Sequence, residues 1–175
     1  KTHQSQEIGD WFRAKGVDKI TVSSLNMALY FAESGWRNIT VAFPLNILEI
    51  DKINQLAGKI QLNLLAVHHE NLIELANQLK HPIGIFIKID VGTNRTGIQP
   101  DDTAGIDEIL EVIDNSLLLE FKGFLAHAGH TYSARNQVGV QTIHEDCLKR
   151  ISGLKPRYSG KYPELIISYG DTPSC

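Results

Sequence analysis

The chain has 175 residues, 42% hydrophobic and 21% charged, with a formal net charge of −3 at pH 7; that suffices for one sizeable core, and the absence of a Lys/Arg cluster argues against a nucleic-acid surface. No apolar run approaches the roughly 20 residues that span a bilayer, and no charged n-region with an apolar h-region opens the chain, so neither membrane insertion nor export is indicated. Two cysteines, Cys147 and Cys175, are too few for a disulfide framework or a metal cluster, and a reducing cytoplasm is the expected compartment.

Residues 1–4, Lys-Thr-His-Gln, begin without a start methionine or a preceding strand, as if the chain opened in mid-unit. From Ser5 the pattern turns helical, with Ile8, Trp11, Phe12 and Lys15 on one face and Gly16 as the stop. A short β-branched strand follows over 19–22. Ser23 or Ser24 then caps a helix whose Leu25, Ala28, Leu29 and Ala32 recur at helical spacing until Gly35. After a strand at 38–43, Pro44 and Asn46 open a third helix, with Asn46 as cap, Glu49 at the capping-box position and Ile47, Ile50, Ile53 and Ala57 as its buried stripe.

A strand at 60–67 and a helix at 70–79 lead to the apolar run 85–91, which carries only Lys88 and Asp90 and reads as a central parallel strand covered on both faces. The glycine-containing turn Gly92-Thr93-Asn94-Arg95-Thr96-Gly97 follows directly. Beyond it come a helix at 103–114, a strand at 117–124, a helix at 136–152, a polar loop at 153–163 and a last strand at 164–168. Counting a stub at Lys1, seven strand signals alternate with six helices, which implies a parallel α/β sheet with helical crossovers. No strand is an obvious polar edge, so a (β/α)8 TIM-type barrel is preferred to an open doubly wound sheet. The barrel is incomplete, running from the end of the first strand to the seventh, and the chain therefore reads as a fragment of a larger enzyme.

On the barrel reading four groups converge at the carboxyl ends of the strands, where ligands bind in parallel α/β folds: 1–3, Arg95, 127–132 and 168–172. His127, His130 and Tyr132 can ligate a metal, orient a ring or make local hydrogen bonds; with no third ligand at suitable spacing, metal is the weakest of these. Gly170-Asp171-Thr172 offers backbone N–H groups of the kind that cradle phosphate. Lys88 points either into the barrel, where it needs a carboxylate or carbonyl partner, or out to a helix, and Asp90, on the same face, is a candidate partner.

The motifs KTH, IKIDVGTNRTG, FLAHAGHTYS and SYGDTPSC, in that order, resemble the alanine-racemase-type pyridoxal phosphate barrel, and within it the D-serine dehydratase and D-threonine aldolase group. The resemblance implies a partial barrel domain over 1–175, with the group's C-terminal β domain and its zinc site absent. It implies that Lys1 forms the Schiff base with pyridoxal phosphate and that Arg95 lies near the cofactor's phenolic oxygen. Ser168, Gly170, Asp171 and Thr172 would hold the phosphate. His127, His130 and Tyr132 would surround the pyridine ring, with Tyr132 bonded to its nitrogen. Gln4 stands where the group has another lysine, and Asp171 where a small uncharged residue is usual; a carboxylate facing a phosphate is repelled unless it turns away. The implied activity is that of a lyase on a D-β-hydroxy amino acid, of D-serine dehydratase type, in a cytoplasmic homodimer. D-threonine aldolase, amino-acid racemase and a pyridoxal-phosphate-binding protein without turnover are the alternatives.

Overall fold

A computed structural model describes residues 4–174. The expected strand stub at Lys1, with Thr2 and His3, lies outside the described residues, as does Cys175. Six parallel strands form one sheet in the order β1 (Ile20–Val22), β2 (Asn38–Pro44), β3 (Gln61–Ala66), β4 (Ile83–Ile89), β5 (Leu119–Ala126) and β6 (Ile166–Tyr169). Spatial order equals chain order, so there is no switch point of the doubly wound kind; the sheet is a segment of a barrel wall.

The crossovers are helical: α2 (Leu25–Glu33), α3 (Ile50–Ala57), α4 (His69–Gln78), α5 (Thr103–Asp114) and α6 (Gln137–Ser152), with α1 (Gln6–Arg13) before the sheet. Side chains alternate along each strand, so β4 splits its residues between two environments. Ile83, Ile85, Ile87 and Ile89 enter the main core with Leu72, Leu75, Ile106, Ile109 and Ile113 of α4 and α5. Phe86 faces the other way and joins Leu65 and Leu125 in a small separate cluster, the filling of the barrel interior. All seven β4 residues are buried, as a central parallel strand requires.

Two irregularities bend the wall. Pairing of β4 with β5 skips a residue between Ile85↔Phe121 and Phe86↔Gly123, and that of β2 with β3 shifts between Thr40 and Pro44.

Four local expectations are corrected. In α1, Trp11 and Phe12 are exposed; the helix packs through Gly9, where an added Cβ would stand 3.1 Å from Trp36 Nε1, so a backbone approach replaces the expected apolar face. The third helix begins with a 3-10 turn, Ile47–Glu49, in which Asn46 accepts from Leu48 N at 3.2 Å. Glu49 pairs with Lys52 at 3.0 Å instead of completing a capping box, and the buried residues are Ile53 and Leu56. The 117–124 strand starts at Leu119, with Leu117 fully exposed, and the 164–168 strand is shifted to Ile166–Tyr169. The loop at 153–163 contains a short helix α7 (Leu154–Tyr158), so helices and strands do not alternate throughout. Leu154 and Tyr158 are buried, and Tyr158 donates to Asp107 Oδ1 at 2.9 Å; Pro156 falls in the first turn, where its missing N–H has no intrahelical acceptor to lose.

Candidate functional site

The turn after β4 is built by Asp90. Its carboxylate, 4% exposed, accepts from Gly92 N at 2.9 Å and Asn94 N at 3.1 Å. The chain then folds back on the strand: Asp90 N donates to Ile98 O and Ile98 N to Lys88 O, each at 2.9 Å. That return needs glycine at 97, where φ is +119° and a Cβ would stand 2.8 Å from Asp90 N. Arg95 sits exposed at the apex of this turn.

Beneath it, Lys88 is buried in the barrel interior and donates to Ile89 O at 3.3 Å, so its partner is a carbonyl. Burial lowers its pKa from 10.5 to about 8; Asp90 opposes the drop and Arg95 adds to it. The mouth therefore holds two neighbouring cationic groups beside the buried Asp90 carboxylate. The linkage has a definite sign. Between about pH 8 and 10.5 the unfolded chain binds a proton at Lys88 that the folded chain releases, so this position costs stability most below pH 8 and the cost fades as pH rises. Lys88→Met is therefore expected to raise apoprotein stability at pH 7 by a few kcal/mol at most, about 1.4 per pKa unit, with the gain shrinking towards pH 10. Denaturant melts across that range check it; a gain independent of pH would place Lys88 outside the barrel interior.

The turns after β4 and β5 are stitched together by a threonine. Thr93 Oγ1 donates to His127 O at 2.9 Å and accepts from Gly129 N at 3.1 Å. His130 lies behind the same turn, with Nδ1 3.4 Å from Thr93 Oγ1 and Nε2 3.6 Å from Cys147 Sγ. Cys147, fully buried in α6, donates to Val91 O at 3.4 Å; burial pushes its thiol pKa up, so it stays protonated. His130 is thus a packing and hydrogen-bonding support for the Gly92–Thr93 backbone. Thr93 and Cys147 support this turn and were not singled out in the sequence; Asp90, weighed there only as a partner for Lys88, builds the turn, for which its Asp-x-Gly-x-Asn spacing was the available signal.

The turns after β5 and β6 meet through His127. Its Nδ1 is 3.0 Å from Gly170 O, and since a carbonyl only accepts, Nδ1 carries a proton in this contact. Tyr132 is 61% exposed, with its ring 6.4 Å from that of His127. Ser168 pairs with Leu125 in the ladder, and Thr172 opens a 3-10 turn, Thr172–Ser174. The Asp171 carboxylate is taken up by its neighbours: Oδ2 accepts from Thr131 Oγ1 and Oδ1 from Ser174 Oγ, both at 2.6 Å. Burial by itself would raise its pKa, but the donors from Ser174 and Thr131, with His127 nearby, outweigh burial and hold it below the usual carboxylate value. Of the four groups expected to converge, those at 95, 127–132 and 168–172 lie at or just beyond the carboxyl ends of β4, β5 and β6. The fourth, with Lys1, lies outside the described residues. Among the described residues no three His, Cys, Asp or Glu side chains are grouped to hold a metal ion.

Comparison with known proteins agrees with this architecture. D-serine dehydratase of Dictyostelium discoideum is 26% identical over 198 residues, covering 100% of this chain and 48% of that protein. D-threo-3-hydroxyaspartate dehydratase from Delftia sp. HT23 superposes with a TM-score of 0.87 at 23% identity, over 99% of this chain and 47% of that one. D-threonine aldolase from Filomicrobium marinum does so with a TM-score of 0.71 at 14% identity, over 96% and 52%. The chain spans about half the length of these relatives. The model of the alanine racemase N-terminal domain matches residues 1–166, and with the parallel barrel segment this establishes that the chain belongs to that family.

Proposed function

We propose that this chain is the barrel part of a pyridoxal-phosphate-dependent lyase that removes the β-hydroxyl of a D-β-hydroxy amino acid, D-serine being the first substrate to test. The observation that carries this reading is the joining of the turns after β4, β5 and β6 through Thr93 and the His127–Gly170 bond, in a chain of the alanine racemase N-terminal domain family. The residues present fit the cofactor: Lys88 and Arg95 bring two cationic groups to the mouth, the Asp171 carboxylate is taken up by Thr131 and Ser174, and a Cβ at Gly170 would meet nothing within 4 Å, leaving room beside that backbone.

In this reading Lys1 Nζ bonds the cofactor and then serves as the base at the substrate's Cα. The bound cofactor supplies the electron sink for the negative charge that develops there. Arg95 would hold the phenolic-oxygen side of the cofactor, the 168–172 segment its phosphate, and His127, His130 and Tyr132 its ring. The reading extends to a zinc ion with ligands beyond this chain, which activates the β-hydroxyl, and to a cytoplasmic homodimer with a C-terminal β domain. The names of the Dictyostelium and Delftia relatives, both dehydratases, favour dehydration over aldol cleavage or racemisation.

The test is pyruvate release from D-serine by the full-length protein supplied with pyridoxal phosphate and zinc. Arg95→Ala is expected to lower turnover by about a hundredfold or more while moving the melting temperature by no more than a few degrees, because the side chain is exposed and the turn is held by Asp90. Aldol products from D-threonine with no pyruvate from D-serine would transfer the assignment to the aldolase reaction.

A further inference from the structure

Asp171 is a buried carboxylate on a loop read as receiving an anion, and the network around it gives it a task. It is 6% exposed. Its Oδ1 accepts from Ser174 Oγ at 2.6 Å and faces Tyr169 OH at 3.4 Å, while Oδ2 accepts from Thr131 Oγ1 at 2.6 Å and Ser174 N at 3.3 Å. Thr131 has one hydroxyl proton, and Ala128 O competes for it at 2.8 Å. An ionised carboxylate is the stronger acceptor and lies closer, so the proton goes to Asp171. Both hydroxyls are thereby committed to the carboxylate and are not donors to a bound ligand. The same contacts tie the loop after β6 to the 3-10 turn Gly129–Ser133 after β5, next to the His127–Gly170 bond.

We propose that Asp171 is the positioning residue of the anion-receiving loop: by clamping 170–174 to Thr131 it shapes the backbone around Gly170 before a phosphate group arrives, with its own charge covered by donors. This rests on the reading of the mouth as a pyridoxal phosphate site and names the side chain that shapes its phosphate end. Replacing Asp171 sets two effects against each other. Removing a negative charge favours an anion, and releasing the clamp disfavours it because the loop must then be ordered on binding. The clamp dominates, since the donor dipoles aimed at the carboxylate weaken its field beyond them while the charge itself remains.

The full-length apoprotein is titrated with pyridoxal phosphate and, separately, with pyridoxal, which lacks the phosphate, following absorbance. Asp171→Ala is expected to weaken pyridoxal phosphate binding by about tenfold or more and pyridoxal binding by less than about twofold. Thr131→Val should reproduce the loss, and the double variant should add nothing, because both break one clamp. Asp171→Asn, which keeps one acceptor oxygen, should fall between, and with Thr131→Val it carries the test if Asp171→Ala does not fold. Equal losses for both ligands, additive losses, or tighter pyridoxal phosphate binding by Asp171→Ala would each overturn the proposal. Failure of the wild type to take up pyridoxal phosphate would be seen before any variant, and would remove the site reading and this inference together.

Discussion

Lys1→Ala in the full-length protein is expected to abolish covalent retention of pyridoxal phosphate and to lower turnover by several orders of magnitude, since in the proposed function one amine both bonds the cofactor and moves the substrate proton. The competing candidates are explicit. Lys88 is the described lysine best prepared to act as a nucleophile: with its pKa lowered to about 8 by burial, it is close to half neutral at that pH. It lies below the turn that bears Arg95, however, and its Nζ is engaged by Ile89 O. Lys122, on β5, is paired with Glu120. Borohydride reduction of the loaded protein followed by peptide mapping therefore discriminates. The label belongs on Lys1; a label on Lys88 would make the interior lysine the reactive one and dissociate the chemistry from the KTH motif.

The barrel architecture was legible because parallel crossover folds write their elements into hydrophobic periodicity and small-residue stops. Ser24 caps α2 as expected, accepting from Met27 N, and the strand expected at 85–91 forms over Ile83–Ile89 with every residue buried. What periodicity does not encode is contact by backbone. Gly9 against Trp36 left Trp11 and Phe12 exposed, and no apolar spacing signals that. The α7 helix escaped because Lys155, Pro156 and Arg157 dilute its two buried residues, Leu154 and Tyr158, which lie at one helical spacing. At the mouth, strand ends announced where Arg95, His127 and Gly170 would sit. They did not announce the partners, because Thr93, Thr131 and Cys147 are uncharged and act through single hydrogen bonds between turns far apart in sequence. Asp171 is the instructive residue: by composition it opposes a phosphate, and only its two 2.6 Å hydroxyl contacts show the charge directed inward.

Gly123→Ala is expected to be the most damaging small substitution in the wall, costing upwards of about 4 kcal/mol, in the range reserved for a broken backbone arrangement. Gly123 has φ +138°, a region that side chains rarely adopt, and an added Cβ would stand 1.9 Å from Ile166 O and 2.5 Å from Ile166 N. Neither contact can be relieved by a side-chain rotation, because both atoms belong to the backbone of the adjacent strand, paired as Gly123↔Ile166. The glycine also occupies the register shift between β4 and β5, so the wall bends where it comes closest to β6. Forcing β6 away would pull Gly170 from His127 and Asp171 from Thr131, and the mouth would open with the wall. Gly160→Ala is the matched control: its φ is not in the positive range and nothing lies within 4 Å of an added Cβ. Soluble yield and thermal melts of the two variants decide the matter. The Gly160 variant should melt with the wild type, and the Gly123 variant should fail to fold or melt far lower. A Gly123→Ala protein melting within a few degrees of wild type would mean that β5 and β6 are not paired in this register, and the His127–Gly170 junction would fall with it.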